Sequence, residues 1–563
     1  MFRVWCIGVL LLLGGAVMAQ TDAWKTLPEK YVDVTVASHK DLCGLGEAYI
    51  IDKVSYDSVA QNYKVRLWLP STQYDQFLSA GIPFAEVSMS KGLSDVAMAW
   101  SYEEMADWNR YPTYETYLAM MDTFAHRYPD LCTIDTLLAQ TPDHHAILAA
   151  HIVQADTSKV SKPSFFYSST IHGDEPSGFV MMLHLIDYIL THYTTDDKVR
   201  QIVENVNLWI CPLENPDGTY YFSNDTLGPS PISTRANLTG RDLNRIYPWI
   251  GQENVTLPPE ATAMVRFFEQ HQITMSAVMH GGAEVFNYPW DSWTSRERQH
   301  ADRNWWLYVG RMFASLCQQN SPAGYFEDEQ YGVTAGGDWY VIRRGRQDYM
   351  NYFQHCREVT IEISEDKVPA SDCLPDLWSY CHSSLLSLIL ESCYGIQGRV
   401  TDAVTGEPLV AQVAVQSHDD DASVVFSDAT GGYHRPIEKG SFKVVFSAEG
   451  YRSKTVEVTV QNGQATVVNV ALEPLAQAVE DFSRSLDCVV YPNPAHNAFT
   501  VAVHGPMSPS VVGRLIDQQG RVLKRWNMSG TERMVDVSDI PSGLYYIEMR
   551  NVTNRAILKL VKH

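Results

Sequence analysis

The chain has 563 residues, with 43 Lys+Arg against 66 Asp+Glu and a formal charge of −23 at pH 7. That length accommodates about three to four domains, and 45% hydrophobic with 19% charged residues excludes a disordered or collagen-like chain. A polyanion of this size argues against nucleic acid and against an acidic membrane surface as partners.

Arg3, the apolar run that follows it to Val17, and Val17-Met-Ala19 read as a secretory signal peptide over residues 1–19, the mature chain starting at Gln20. The run is too short for a membrane anchor, and no later stretch reaches spanning length. Nine cysteines remain beyond the signal, an odd number, so at least one thiol stays free or pairs between chains. No C-x-x-C pair occurs, which argues against a thiolate zinc site. Cys373, Cys381 and Cys393 lie close together in sequence and can supply one disulfide.

Residues 20–104 read as a small α/β unit: residues 31–36 and 63–69 alternate as strands, each followed by a helix-like segment. Residues 105–392 alternate apolar strands with long helices, the pattern of a parallel or mixed sheet covered on both faces. Residues 395–473 change to short alternating strands with Gly-rich turns, a β-sandwich. A polar linker, residues 474–485, precedes a second short-stranded β module over residues 486–563. The fold class is therefore α/β, a mixed-sheet domain flanked by a small α/β N-terminal unit and two C-terminal β-sandwich modules.

Chemistry concentrates in the mixed-sheet region. His172-Gly-Asp-Glu175 follows an apolar strand and precedes a buried helix; a His and a carboxylate three apart in such a turn can bite one metal ion. A second His-x-x-Glu, His355-Cys-Arg-Glu358, enters a strand, where positions three apart point to opposite faces, and reads as a chance copy. His280 ends another apolar strand, before two glycines, and ligands gather at strand C-termini in open α/β sheets; a buried core histidine is the alternative. In residues 358–364, Glu362 shares a face with Glu358, Thr360 and Ser364, and reads either as a solvent-facing acid or as a base beside a zinc-bound water. The segment from Arg235 to Arg245 is rich in arginine, the side chain that grips a planar carboxylate with two hydrogen bonds. No Gly-x-Ser-x-Gly, His-Glu-x-x-His or phosphate-binding loop is present.

As a set, these segments resemble the zinc metallocarboxypeptidase family, and within it the carboxypeptidase N/E/D branch. The motifs are His172-Gly-Asp-Glu175, Glu214-Asn-Pro-Asp-Gly218, Arg235-Ala-Asn237, Asp242-Leu-Asn-Arg245, His280-Gly-Gly with Asn287-Tyr-Pro289, Gly337-Asp-Trp-Tyr340, Asn351-Tyr352 and Thr360-Ile-Glu-Ile363, in the family's order. The resemblance implies one catalytic Zn2+ held by His172, Glu175 and His280, with Asp242 orienting the first histidine. It implies Glu362 as general base and acid for a zinc-bound water, and Arg235 as the group polarising the scissile carbonyl. It makes Asn244 and Arg245 the grip on the substrate's terminal carboxylate, and Tyr352 the tyrosine that closes over it, with Tyr349 a rival because the stretch to Glu362 is one residue shorter than the branch pattern. Asp291, with Gln347 near it, matches the pocket for the departing side chain and implies release of C-terminal Lys or Arg; a cap on the following turn is the alternative. Ile246 departs from the branch pattern, and Glu284 adds an acid near the metal loop with no assigned role.

Residues 395–473 resemble the branch's transthyretin-like domain, with Gly398-Arg-Val-Thr-Asp402 and Gly406-Glu-Pro408. The N-terminal unit is similar in pattern to family propieces, whether to block the cleft or to assist folding. The C-terminal module resembles the sorting domain of the Bacteroidetes type IX secretion system, by Val490-Tyr-Pro-Asn-Pro494, Asp517-Gln-Gln-Gly520, Ser542-Gly-Leu-Tyr-Tyr546 and Lys559-Leu-Val-Lys562. The implied partners are peptide or protein C-termini, signal peptidase and the secretion machinery, and the implied location is the cell surface or medium after passage through the periplasm. Two other readings keep the fold: a zinc peptidase acting on peptidoglycan stem peptides, and a catalytically silent peptide-binding protein.

Overall fold

The computed structural model describes residues 27–87, 95–154, 161–420, 422–475, 484–504, 511–518, 520–528, 530–551 and 554–563. The signal peptide and the start at Gln20 lie outside the described residues, as does most of the 474–485 linker. The chain forms two compact units, residues 1–473 and 474–563.

In the first unit, four antiparallel strands lie in the order Ile50–Asp57, Asn62–Pro70, Glu29–Val36, Ala85–Val87, with helices His39–Ala48 and Tyr74–Ser79. Ser38 caps the first helix by accepting from the Asp41 N–H. Alternation along Glu29–Val36 gives this small sheet two buried faces. Val32 and Val34 pack with Leu42, Leu45 and Phe77, while Tyr31 and Trp68 pack against Ala236 of the larger domain.

That larger domain is built on eight strands in the order Val333–Ala335, Ala283–Tyr288, Arg357–Ser364, Met275–His280, Ser164–Ser169, Asn207–Cys211, Ile147–Ile152, Cys132–Leu138. The central four, Arg357–Ser364 to Asn207–Cys211, are parallel, and the sheet turns antiparallel on both sides of them. Strand residues alternate between two cores: Phe165, Tyr167, Ala277, Met279, Val359 and Ile361 in one, Phe166 and Val278 in the other. Helices Ser177–His192, Arg303–Gln319 and Leu374–Glu391 contribute to the first core, and Pro259–Gln270 and Arg346–Phe353 to the second. Helix Ser177–His192 buries eleven residues, Phe179, Leu185, Ile186 and Ile189 completely. At about 1.5–3 kcal/mol for each large apolar side chain buried, it anchors the turn that precedes it. Gly178 permits this closeness, because a Cβ there would lie 2.8 Å from the Met279 Cβ.

Residues 395–473 form two four-stranded sheets around Ile396, Val400, Val413, Val444, Phe446 and Val460. The second unit has a five-stranded and a three-stranded sheet around Phe499, Val501, Leu515, Ile547 and Leu560. Among the described residues, no helix is long and apolar enough to cross a membrane. The nine thiols described are free. The disulfide expected within Cys373, Cys381 and Cys393 is not formed; the Cys381 sulfur lies 3.9 Å from that of Cys317 instead.

Candidate metal centre and cleft

Three parallel strands deliver the centre. His172 and Glu175 stand in the turn after Ser164–Ser169, His280 ends Met275–His280, and Glu362 pairs with His280 in register on Arg357–Ser364. Gly173 lets this turn seat, since a Cβ there would lie 2.2 Å from the Gly218 carbonyl carbon. His172 Nδ1 lies 3.0 Å from Glu175 Oε1, and His280 Nδ1 lies 2.8 Å from Glu175 Oε2. All three side chains are buried, and their ligand atoms lie within 4.8 Å of one another.

Zinc suits this set. Two imidazoles and one carboxylate form a known catalytic triad of ligands that leaves a coordination position open. His172 Nε2 is 3.2 Å from Asp242 Oδ1, the carboxylate backing that fixes a ligating imidazole's tautomer. Its Nδ1 lone pair then faces a carboxylate oxygen, an arrangement that calls for a cation between them. Burial pulls His280 down to about 4, leaving the neutral ring that a ligand requires. Burial opposes charge on Glu175, yet His172, Lys367 and His280 hold it well below the usual carboxylate range.

Glu362 carries the opposite bias. Burial first, then the nearby Glu175 carboxylate, push it well above the usual range, and its Oε2 is buried without a hydrogen-bond partner. Such a carboxylate takes up a proton more readily than an exposed one. Arg235 donates through Nε to Asp242 Oδ2 at 2.9 Å, and its Nη1 lies 3.4 Å from Glu175 Oε1. Asn244 accepts from the Arg346 N–H at 2.9 Å, and Arg245 lines a cavity of about 980 Å3 together with Tyr340, Ser292 and Arg343.

Asp291 is buried, its Oδ1 accepting from Asn287 Nδ2 at 3.2 Å and Gln347 Nε2 at 2.9 Å. The turn after it is capped by Asp348, which takes the Asp291 and Ser292 N–H groups at 2.9 and 3.0 Å. Burial and Asp348 raise Asp291 well above the usual range, and burial raises Asp348 to about 6.

The structure does not bring the two expected tyrosines together with the centre. Tyr352 packs on Phe353 and Trp290, and Tyr349 lies in the second core against Tyr247, accepting from Gln354. Tyr340 shares the cavity with Arg245 and feels the charges of Glu362, Arg235 and Asp52. Its motif was visible in the sequence, but the helix Arg346–Phe353 decides which tyrosine faces the cleft. His355 bonds the Ala422 carbonyl while Glu358 takes Ser276 and Arg346, far from any shared ion. Glu284 accepts from the Phe326 N–H.

Sequence reading missed three groups here. Glu29 accepts from the Arg235 N–H, the Ser230 hydroxyl and the Trp68 indole. Asp52 Oδ1 lies 3.2 Å from Arg235 Nη1 and 2.5 Å from Lys367 Nζ. The N-terminal unit therefore lies over the centre, with Tyr49, Ile50 and Ile51 walling the cavity. Nothing local marks Glu29 or Asp52, since their meaning depends on a tertiary partner about 180 to 210 positions away.

Comparison with known proteins agrees with this geometry. Residues 117–380 match the family model "Zinc carboxypeptidase", residues 395–473 "Carboxypeptidase regulatory-like domain", and residues 489–563 "Secretion system C-terminal sorting domain". The chain is 31% identical to carboxypeptidase SOL1 of Arabidopsis thaliana over 58% of this chain and 65% of that one. It is 29% identical to carboxypeptidase D of Homo sapiens, over 65% of this chain and 27% of that one. It is 25% identical to carboxypeptidase E of Caenorhabditis elegans, over 67% of this chain and 89% of that one. The chain thus spans less than two thirds of the first two relatives.

Proposed function

We propose, from the match of residues 117–380 to a zinc carboxypeptidase model and of the following segments to a carboxypeptidase regulatory-like and a secretion sorting domain, that this protein removes the C-terminal residue, Lys or Arg, from peptides at or outside the cell surface. The observation that carries the reading is the alignment of Glu362 with the His172–Glu175–His280 set, with Arg245 opening into the adjoining cavity.

Zinc, when bound by His172, Glu175 and His280, supplies Lewis acidity toward a carbonyl and acidifies water. Arg245 and Asn244 hold the terminal carboxylate, which limits the reaction to the last peptide bond. Arg235 donates to the oxygen of that bond's carbonyl as negative charge builds on it. Glu362 takes a proton from the attacking water and returns it to the departing amine, so the C–O bond forms as the C–N bond breaks. Tyr340, in place of Tyr352, closes the carboxylate end. Asp291 receives the basic side chain: burial and Asp348 hold it well above the usual carboxylate range, and an arriving guanidinium or ammonium favours its charged form. In the chain as described, the N-terminal unit covers these groups, and its removal precedes turnover.

The test compares release from blocked dipeptides ending in Arg and in Phe, before and after limited proteolysis, with and without a zinc chelator. Chelator-sensitive release of Arg after proteolysis is expected. Release of Phe at an equal rate removes Asp291 from specificity, and no release from either substrate favours a silent binding protein or a cell-wall substrate.

A further inference from the structure

Lys367 has no task in the reaction as proposed. It follows Glu362 by five residues, beyond the strand Arg357–Ser364. Its stem runs along the two glycines after His280: a Cβ on Gly282 would lie 3.8 Å from both Cγ and Cε, and one on Gly281 3.6 Å from the Lys367 Cα. The ammonium, with the side chain 9% exposed, meets Asp52 Oδ1 at 2.5 Å, Asp174 Oδ2 at 3.1 Å and Glu175 Oε1 at 3.2 Å. Asp52 Oδ1 also reaches Arg235 Nη1 at 3.2 Å. Two cations from separate segments of the catalytic domain thus hold one side-chain carboxylate of a polypeptide strand lying across the cleft.

The occupant belongs to the N-terminal unit. When that unit leaves, Lys367 keeps Asp174 and Glu175 but regains a free donor, and Arg235 loses a carboxylate. Both cations keep other carboxylates, but each loses the one they share, Asp52, and a charged donor without its partner favours a new carboxylate there. The place also has a direction. Arg245 lines the open cavity with Tyr340, whereas Lys367 lies beside Asp174 and Glu175 and is not among the residues that line it. A peptide with its terminal carboxylate on Arg245 and its last amide at the zinc ligands runs its preceding residue toward Lys367.

We propose that Lys367, with Arg235, forms a subsite for an acidic side chain on the acyl side of the cleaved bond, so that the preferred substrates carry Asp or Glu just before the C-terminal basic residue. The subsite binds and orients; it exchanges no proton and makes no bond. The inference rests on the carboxypeptidase reading and goes beyond it to the substrate class.

The experiment measures kcat/KM for blocked Asp-Arg and Asn-Arg on zinc-loaded enzyme freed of its N-terminal unit by limited proteolysis. Asp-Arg is expected to be faster by about tenfold, the scale of one charge-assisted contact, and the ratio shrinks as salt rises. Lys367→Gln should bring the ratio close to one, and Lys367→Arg should keep most of it. Because each ratio is taken on one variant, any loss common to both substrates through Glu175 cancels. Equal rates in the unsubstituted enzyme, or a ratio unmoved by Lys367→Gln, overturn the subsite while leaving the carboxypeptidase reading intact. No cleavage of either peptide overturns both. A second readout uses the full chain without turnover: Asp52→Asn and Lys367→Gln each lower Tm, and the double variant falls no further than the weaker single variant. Additive losses would show that the pair does not hold, and the subsite would lose its footing.

Discussion

Among the described residues, two clusters unite histidine and carboxylates closely enough to hold a metal: the buried His172, Glu175 and His280, and Asp302, His418 and Asp419, of which only Asp302 is fully buried. The second lies where the β-sandwich meets the catalytic domain. Arg357 Nη2 sits 2.7 Å from Asp302 Oδ2, and Arg435 Nη2 sits 2.8 Å from Asp302 Oδ1 and also pairs with Asp419. Burial opposes charge on Asp302, yet Arg435 and Arg357 hold it at about 2. Burial likewise works against a charged His418, but its hydrogen bond with Asp419 and the nearby Glu438 carboxylate raise it to about 9, so it carries its own proton. At the first cluster burial prevails on His280 and leaves a neutral ring. The same residue types thus gather as a candidate ligand set in one place and as an ion-paired latch in the other. What separates them is the histidine: His280 stays neutral, with its Nε2 buried and without a hydrogen-bond partner, whereas His418 is held charged among acids already paired with Arg357 and Arg435.

The largest effect should come from the base. Glu362→Gln is expected to cut turnover by about a thousandfold or more, within the range of general acid–base catalysis, while zinc content by atomic absorption is unchanged; near-full activity would remove Glu362 from the reaction. Next, His280→Ala should empty the protein of zinc whereas His418→Ala should not, and equal losses would dissolve the distinction between the clusters. Arg435→Met strands Asp302 and Asp419 without their shared cation, and should cost about 3–5 kcal/mol in chemical denaturation, the size expected for breaking a buried pair.

A smaller effect separates the clusters by pH. His418 is raised in the folded state, so its contribution is complete below the unfolded value near 6.5 and is lost as pH climbs through about 9. Tm should therefore fall between about pH 6.5 and 9, and His418→Gln should flatten that slope; an unchanged slope would place the loss elsewhere. The smallest effect concerns selectivity. With Asp348 near 6 and Asp291 above the usual range, the pocket gains negative charge as pH rises from 5 to 7. The Arg-to-Phe rate ratio should grow several-fold over that interval, and a flat ratio would contradict an acidic pocket.

Much of the catalytic domain was legible because its signals are local. The strand before His172, the apolar helix after it and the glycines after His280 are each written in a few consecutive residues. Tyr352 and Tyr349 were weighed for the closing tyrosine and Tyr340 was not, because chain distance to Glu362 does not reveal which ring lines the cavity beside Arg245. Glu284, which sequence placed near the metal loop, instead satisfies the Phe326 backbone. Lys367 follows Glu362 so closely that it was open to notice, but a lone lysine in a loop has no meaning until its three carboxylates are seen.

Sequence alone therefore determined the α/β class and pointed to the turn that carries His172 and Glu175, to His280 at a strand end and to Glu362 on its neighbouring strand, since alternation, turn chemistry and motif spacing are short-range properties. Tertiary structure decided that the N-terminal unit covers the centre, that Asp52 bridges Arg235 and Lys367, and that Asp302 pairs with Arg357 and Arg435. Those outcomes depend on charges brought together from distant parts of the chain, and the energy of such a meeting is set by distance and burial, which no local pattern encodes.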